Sequence, residues 1–128
     1  MQNQITIRSK LFPTYPKEED EINPGRFGKR LAEHIKLILS ENGITVSSIY
    51  PTDSSYELRI DQFPFPVYIQ AGNMDGEDEE FLIFIEPNKK FVRKFFRKIP
   101  TEDIINEIFN LIYTSFQKID GVIIVSTE

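Results

Sequence analysis

The ten residues from Lys89 to Lys98 read Lys-Lys-Phe-Val-Arg-Lys-Phe-Phe-Arg-Lys. They hold six of the chain's fifteen Lys and Arg side chains (Lys89, Lys90, Arg93, Lys94, Arg97 and Lys98) and no acid. Ammonium and guanidinium groups at this density bind anions: a phosphate backbone, an acidic membrane surface or an acidic protein. Outside the run, nine basic residues face twenty Asp and Glu, a formal charge of −11, so the molecule is electrically divided. In a helical reading, Lys89, Arg93 and Arg97 align at intervals of four, with Lys90, Lys94 and Lys98 beside them. Val92, Phe95, Phe96 and Ile99 then fall largely on the opposite side, with Phe91 at the boundary. The plainer expectation is the solvated face of a short core helix, neutralised by the protein's own acidic loops.

The second charged cluster is Asp75-Gly76-Glu77-Asp78-Glu79-Glu80. Five carboxylates in six residues offer hard oxygen ligands for Ca²⁺ or Mg²⁺. The alternating ligands, sixth-place Gly and distant Glu of an EF-hand loop are absent, so the run reads as a solvated hairpin tip or as an acidic patch for a basic partner. His34 is the lone histidine and there is no cysteine, which removes the usual zinc sites, disulfides and thiol nucleophiles. Ser54 and Ser55 lack the glycines of a nucleophile elbow, and no Ser/His/Asp spacing points to a triad. No catalytic residue, metal or cofactor is assigned. Arg26, Lys29 and Arg59 are the candidates for orienting an anionic ligand, in a pocket between the first helix and the sheet. Gly25 and Gly28, flanking Phe27, can expose backbone amides to an anion. Without phosphate-loop spacing, they fit close helix-to-sheet packing better.

These groups need a scaffold, and the apolar pattern supplies one. Gln4–Lys10 alternates around Ile5 and Ile7 as a strand with one wet face. Residues 11–24 hold Pro13, Pro16, Pro24 and the acids Glu18–Glu21, and read as a surface loop. Asn23-Pro24 reads as N-cap and first position of a helix with the stripe Phe27, Leu31, Ile35, Ile38 and Leu39, closed by Gly43. Four strands follow: 44–50, 54–61, 64–71 and 80–86. The last, through Phe81-Leu82-Ile83-Phe84-Ile85, is expected to be buried on both faces. Thr101 is the expected N-cap of a second helix, with Glu102 and Asp103 in its first turn and the stripe Ile105, Ile108, Phe109, Ile112 and Phe116. A final strand spans 122–125. Short connections favour an antiparallel meander. The expectation is a single α+β domain over 1–128: a mostly antiparallel sheet of four to six strands, with two amphipathic helices packed on one face. The placement of the two terminal strands stays open.

Three stretches stand out together: Asn23-Pro24-Gly25-Arg26-Phe27-Gly28-Lys29-Arg30-Leu31-Ala32, Gln70-Ala71-Gly72-Asn73, and Phe84-Ile85-Glu86-Pro87 followed by Phe91. With them, the chain resembles a family of short, uncharacterised bacterial proteins marked by an Asn-Pro-Gly-x-aromatic-Gly helix start and an Ile-Glu-Pro turn. The family's acidic residue followed by Trp-Gly is replaced here by Thr52-Asp53-Ser54-Ser55-Tyr56. The resemblance implies a bacterial single-domain protein and no assigned chemistry.

No apolar run nears the ~20 residues of a membrane span, and the first residues carry no signal-like apolar core. A cytoplasmic protein is expected. The function expected from charge is a non-enzymatic protein-interaction module, of inhibitor or immunity type, recognising another protein through Lys89, Lys90, Arg93, Lys94, Arg97, Lys98 and the acids Asp75, Glu77, Asp78 and Glu79. One alternative is a small enzyme or anionic-ligand binder using Arg26, Lys29 and Arg59. Another is nucleic-acid or phospholipid contact through 89–98. Homo-oligomerisation is left open.

Overall fold

The computed structural model describes residues 1–128. In chain order the elements are β1 (Gln4–Ser9), α1 (Lys29–Glu41), β2 (Ser48–Pro51), β3 (Tyr56–Ile60), β4 (Val67–Asn73), β5 (Glu80–Glu86), β6 (Phe91–Lys94), β7 (Arg97–Pro100), α2 (Glu102–Gln117) and β8 (Val122–Thr127). A single 3₁₀ turn, Glu18–Asp20, interrupts the loop between β1 and α1. Six strands form one sheet in the order β2-β3-β4-β5-β1-β8, with every neighbouring pair antiparallel. The terminal strands thus lie side by side: β1 pairs with β5, and β8 takes the edge. β6 and β7 form a separate two-stranded hairpin. The expected α+β architecture is the one observed. No helix is long and apolar enough to cross a membrane.

Strand alternation decides where the core sits. Ile5 and Ile7 of β1, Leu58 and Ile60 of β3, Val67 and Ile69 of β4, and Phe81, Ile83 and Ile85 of β5 are fully buried on the helix-covered face. Against them α1 lays Leu31, Ala32, Ile35, Ile38 and Leu39, and α2 lays Ile105, Ile108, Phe109, Ile112 and Phe116, the stripe expected. The core totals 27 buried apolar side chains. Both helices lie on this face, so the other stays open, and β5 is buried on one side only. Leu82 and Phe84 are half-exposed, contrary to the expectation of a strand buried on both faces.

The start of α1 differs from the sequence reading, and that of α2 agrees in position. Asn23-Pro24 does not open α1. The Arg26 amide donates to the Asn23 carbonyl at 3.0 Å, and Gly25 sits at φ +78°. Pro at the second place and left-handed Gly at the third make this a reverse turn of the type II kind. The helix begins six residues after Asn23, at Lys29. Thr101 is the N-cap residue of α2, as expected, and its carbonyl accepts from the Ile105 amide at 3.0 Å, but its hydroxyl donates to the Lys89 carbonyl and makes no side-chain cap. The far end of α1 follows expectation: Gly43 at φ +78° lets the Ile44 amide reach the Leu39 carbonyl at 2.9 Å and its own amide reach Ser40 at 3.2 Å. The strand expected over 44–50 is regular only from Ser48, although Ile44 and Val46 are buried ahead of it.

Candidate partner-binding surface

The basic run is a β-hairpin, not a helix. Its register is Phe91↔Pro100, Val92↔Ile99, Arg93↔Lys98 and Lys94↔Arg97, with Phe95 and Phe96 as the two-residue turn. Val92 and Ile99 face the body and pack against the core. Everything beyond them, Arg93 through Lys98, is exposed. Two residue pairs at about 3.3 Å per residue, plus the turn, make a finger that stands on the order of 10 Å clear of its inward-packed base. The β-branched Val92 and Ile99, directly opposite one another, suit a strand pair. At the root, Thr101 donates its hydroxyl to Lys89 and its amide to Lys90, the latter at 3.0 Å.

The tip has the backbone of a favoured two-residue turn, with φ positive at both central residues, but not the residues that such a turn prefers. Phe95 (φ +51°) and Phe96 (φ +64°) occupy the left-handed region, where two-residue turns normally place Asn and Gly. The two residues are 84 % and 104 % exposed. Directly behind them stand two cross-strand like-charge pairs, Arg93 opposite Lys98 and Lys94 opposite Arg97. None of the six cations of the run lies in a salt bridge, whereas Arg8, Arg26, Lys29 and Arg59 each do. The acidic loops therefore do not neutralise the basic face, and Phe95 and Phe96 are not core residues. Lys94 lies over the Phe95 ring at 5.9 Å and Lys98 over Phe91 at 5.8 Å, the only company these charges keep.

The acidic residues Asp75, Glu77, Asp78 and Glu79 form the solvated turn between β4 and β5. Asp75 meets Arg26 at 3.6 Å. No group of three or more His, Asp or Glu is placed to hold a metal ion. This turn and the hairpin root lie at opposite ends of β5.

Arg26, Lys29 and Arg59 do not converge on a ligand. Arg26 donates to the Ser54 carbonyl at 3.3 Å beside its Asp75 pair, and Lys29 pairs with Glu21 at 3.3 Å. Arg59, on the open sheet face, donates to Asp61 at 2.8 Å and to the Tyr68 hydroxyl at 3.1 Å. The Asp61 hydrogen bond holds the Arg59 guanidinium above its usual pKa, and hydrogen bonds from Ser47 and then Arg59 hold the Asp61 carboxyl below its own. The expected pocket between α1 and the sheet is filled by side chains. A cleft of about 450 Å³ opens on the other sheet face over Gln70, Gly72, Leu82 and Phe84, with Arg26 at its rim, and Lys29 lines a separate one of about 270 Å³ against the 3₁₀ turn.

Sequence reasoning missed Glu18. Within a loop expected to be wholly solvated, its carboxylate is buried and accepts from the amides of Gly28 (2.8 Å), Lys29 (3.1 Å) and Tyr15 (2.9 Å). It is the N-terminal cap of α1, supplied from the preceding loop. Asn73 completes the joint: its Oδ1 accepts from Phe27 at 2.8 Å, and its Nδ2 donates to the carbonyls of Gly25 (2.9 Å) and Glu77 (2.8 Å). A Cβ on Gly28 would sit 2.5 Å from the Ala71 oxygen and 2.8 Å from the Gly72 Cα. The Asn-Pro-Gly-x-aromatic-Gly and Gln-Ala-Gly-Asn stretches therefore meet in space and fasten helix to sheet. The α1 N-terminus is thus closed to an external anion.

His34 lies among aromatics, 5.3 Å from Phe12 and stacked on Phe116 at 5.8 Å, with its Nε2 buried and unpartnered. Burial pushes its pKa below the usual value. Near the 3₁₀ turn, Tyr56 donates to Glu21 at 2.9 Å; this bond, ahead of the one from Lys29, lowers the Glu21 carboxyl, while burial raises the Tyr56 phenol.

The arrangement defines an α+β protein with one helix-covered sheet face and a projecting cationic, aromatic-tipped hairpin. No protein-family model, curated protein or solved structure matches the chain.

Proposed function

We propose that this chain is a non-catalytic docking protein, in which a rigid α+β body presents the β6–β7 hairpin to an anionic partner. The single observation that carries the reading is the hairpin tip: four cations without ion pairs, Arg93, Lys94, Arg97 and Lys98, stand directly behind two exposed Phe side chains. Exposed charges steer encounter, and exposed aromatic rings supply the desolvation energy that holds a complex. A catalytic reading would need convergent ionisable groups in a concave site, and on the open face Arg8 is paired with Glu80, Arg59 with Asp61, and Glu57 with Gln70. The absence of cysteine accords with a cytoplasmic setting for the encounter.

The reading is tested by chromatography on heparin. At pH 7 the protein carries a formal charge of −5, so uniform charge would send it through the column. A locally acting hairpin retains it at low ionic strength, elution moves to lower salt with Arg93→Glu/Arg97→Glu, and substitution of Arg8 and Lys29 changes little. Flow-through of the wild-type protein at low salt overturns the proposal.

A further inference from the structure

Resting on that docking reading, we infer that the hairpin's partner is an anionic lipid bilayer, with Phe95 and Phe96 entering the headgroup–acyl boundary and Arg93, Lys94, Arg97 and Lys98 lying at the level of the lipid phosphates.

The argument is one of layering. The apex holds only apolar side chains, both more than four-fifths exposed, and the four cations come immediately behind, two on each strand. Apolar groups of interfacial proteins sit about 5–10 Å into the headgroup–acyl boundary, and a two-residue apex of Phe rings has that reach. Each Lys or Arg near an anionic surface adds its own electrostatic attraction, so four at the phosphate level supply a large share of binding. Anions packed between Arg93 and Lys98, and between Lys94 and Arg97, also relieve the two like-charge pairs that the free hairpin tolerates.

Two rival partner chemistries fit less well. A protein partner would bury the two Phe rings in a fitted pocket, whereas here they form a blunt, strained apex with cations ranked evenly behind both strands, a shape suited to a flat surface. Nucleic acid needs a footprint along the strand, and beyond this finger the chain carries −11, which repels a phosphate polymer lying across the body. A bilayer is flat and need touch only the tip. The acidic β4–β5 turn lies at the far end of β5, a strand of seven residues or about 23 Å, well beyond the ~8 Å over which charges act at physiological ionic strength.

The experiment is flotation with vesicles of phosphatidylcholine alone and of phosphatidylcholine mixed with phosphatidylglycerol. Three proteins are compared: wild type, Arg93→Glu/Arg97→Glu, and Phe95→Asn/Phe96→Gly. The last places the favoured turn residues at the apex, so it keeps the hairpin while removing the rings. The inference expects wild type to float with the mixed vesicles and not with the neutral ones. Both variants should bind at least about tenfold more weakly with unchanged thermal unfolding cooperativity. Binding that survives Phe95→Asn/Phe96→Gly overturns the insertion, since charge alone then accounts for it. Retention on heparin without flotation overturns the bilayer partner and leaves the docking reading standing. So does tighter binding to a single-stranded oligonucleotide than to mixed vesicles. Failure on both heparin and vesicles overturns the docking reading as well.

Discussion

Glu18 does for α1 what Gly28, at the helix's own N-cap position, cannot: it gives the first free amides an acceptor. Removing it leaves the buried Gly28 amide and its neighbours unsatisfied. Glu18→Ala is expected to lower stability by about 2–3 kcal/mol, and Glu18→Gln by less because one oxygen remains to accept, both read from denaturant titration. Gly28→Ala should cost at least about 2 kcal/mol, since the atoms 2.5 and 2.8 Å from the new methyl are backbone and cannot swing aside. Equal stability of Gly28→Ala and wild type would show that the joint is slack. The two positions were not equally legible. Gly28 announced itself as a costly glycine beside a helix, and close packing was the expected reason. Glu18 was hidden because a cap supplied ten residues upstream leaves no local signature; the eye goes to Asn23-Pro24. His34 adds a pH dependence. Burial lowers its folded pKa, so below about pH 6.5 the unfolded chain takes up a proton that the native state resists. Its contribution is therefore present above that pH and is lost as pH falls from the unfolded value through the lowered folded one. The slope cannot exceed about 1.4 kcal/mol per pH unit for one proton, and the half-buried ring reduces it further. His34→Leu should flatten this part of the stability profile between about pH 7 and 5; an unchanged slope would place its origin elsewhere.

Periodicity made most of the elements readable. The α2 stripe was legible residue for residue, because five apolar side chains at spacings of three and four fit nothing but a helix with one buried face. The same logic failed on the hairpin. Six cations at spacings of four mimic a helix face, while the turn, Phe95-Phe96, lacks the Asn-Gly signal that marks a two-residue hairpin. Likewise β5 reads as a continuous apolar run, and only the placement of both helices on one side leaves Leu82 and Phe84 half in water. The hairpin is where local preference and observed structure disagree most, the pattern expected where a segment serves binding rather than folding. That disagreement has a measurable size. Phe95→Asn/Phe96→Gly removes two strained turn residues without touching the core, and should raise stability by about 1–3 kcal/mol by denaturant titration. A loss of stability would mean that the rings support the fold, and that the tip is not held at folding's expense.

At the scale of the molecule, β5 separates opposite charges. The solvated acids Glu77, Asp78 and Glu79 stand at its start, and the cationic hairpin is rooted beyond its end. Net charge therefore describes the protein poorly: a surface meeting the finger experiences the local cations once salt has shortened the reach of the far acids. This makes the effect of the acidic turn depend on ionic strength in a definite way. Neutralising Glu77, Asp78 and Glu79 as the amides, with Asp75 left to its Arg26 pair, should change binding to an anionic surface by less than about twofold at 0.15 M salt, where the screening length is about 8 Å. At about 0.01 M, where it is about 30 Å, the same variant should bind several-fold more tightly than wild type, because the acids then repel the surface from across the molecule. Arg93→Glu/Arg97→Glu should instead weaken binding at both ionic strengths. Titrating the three proteins against heparin or mixed vesicles at the two salt concentrations decides the matter. An acidic-turn variant that gains as much at 0.15 M as at 0.01 M would mean that the two charged ends act on the partner together, and that the finger does not approach it alone.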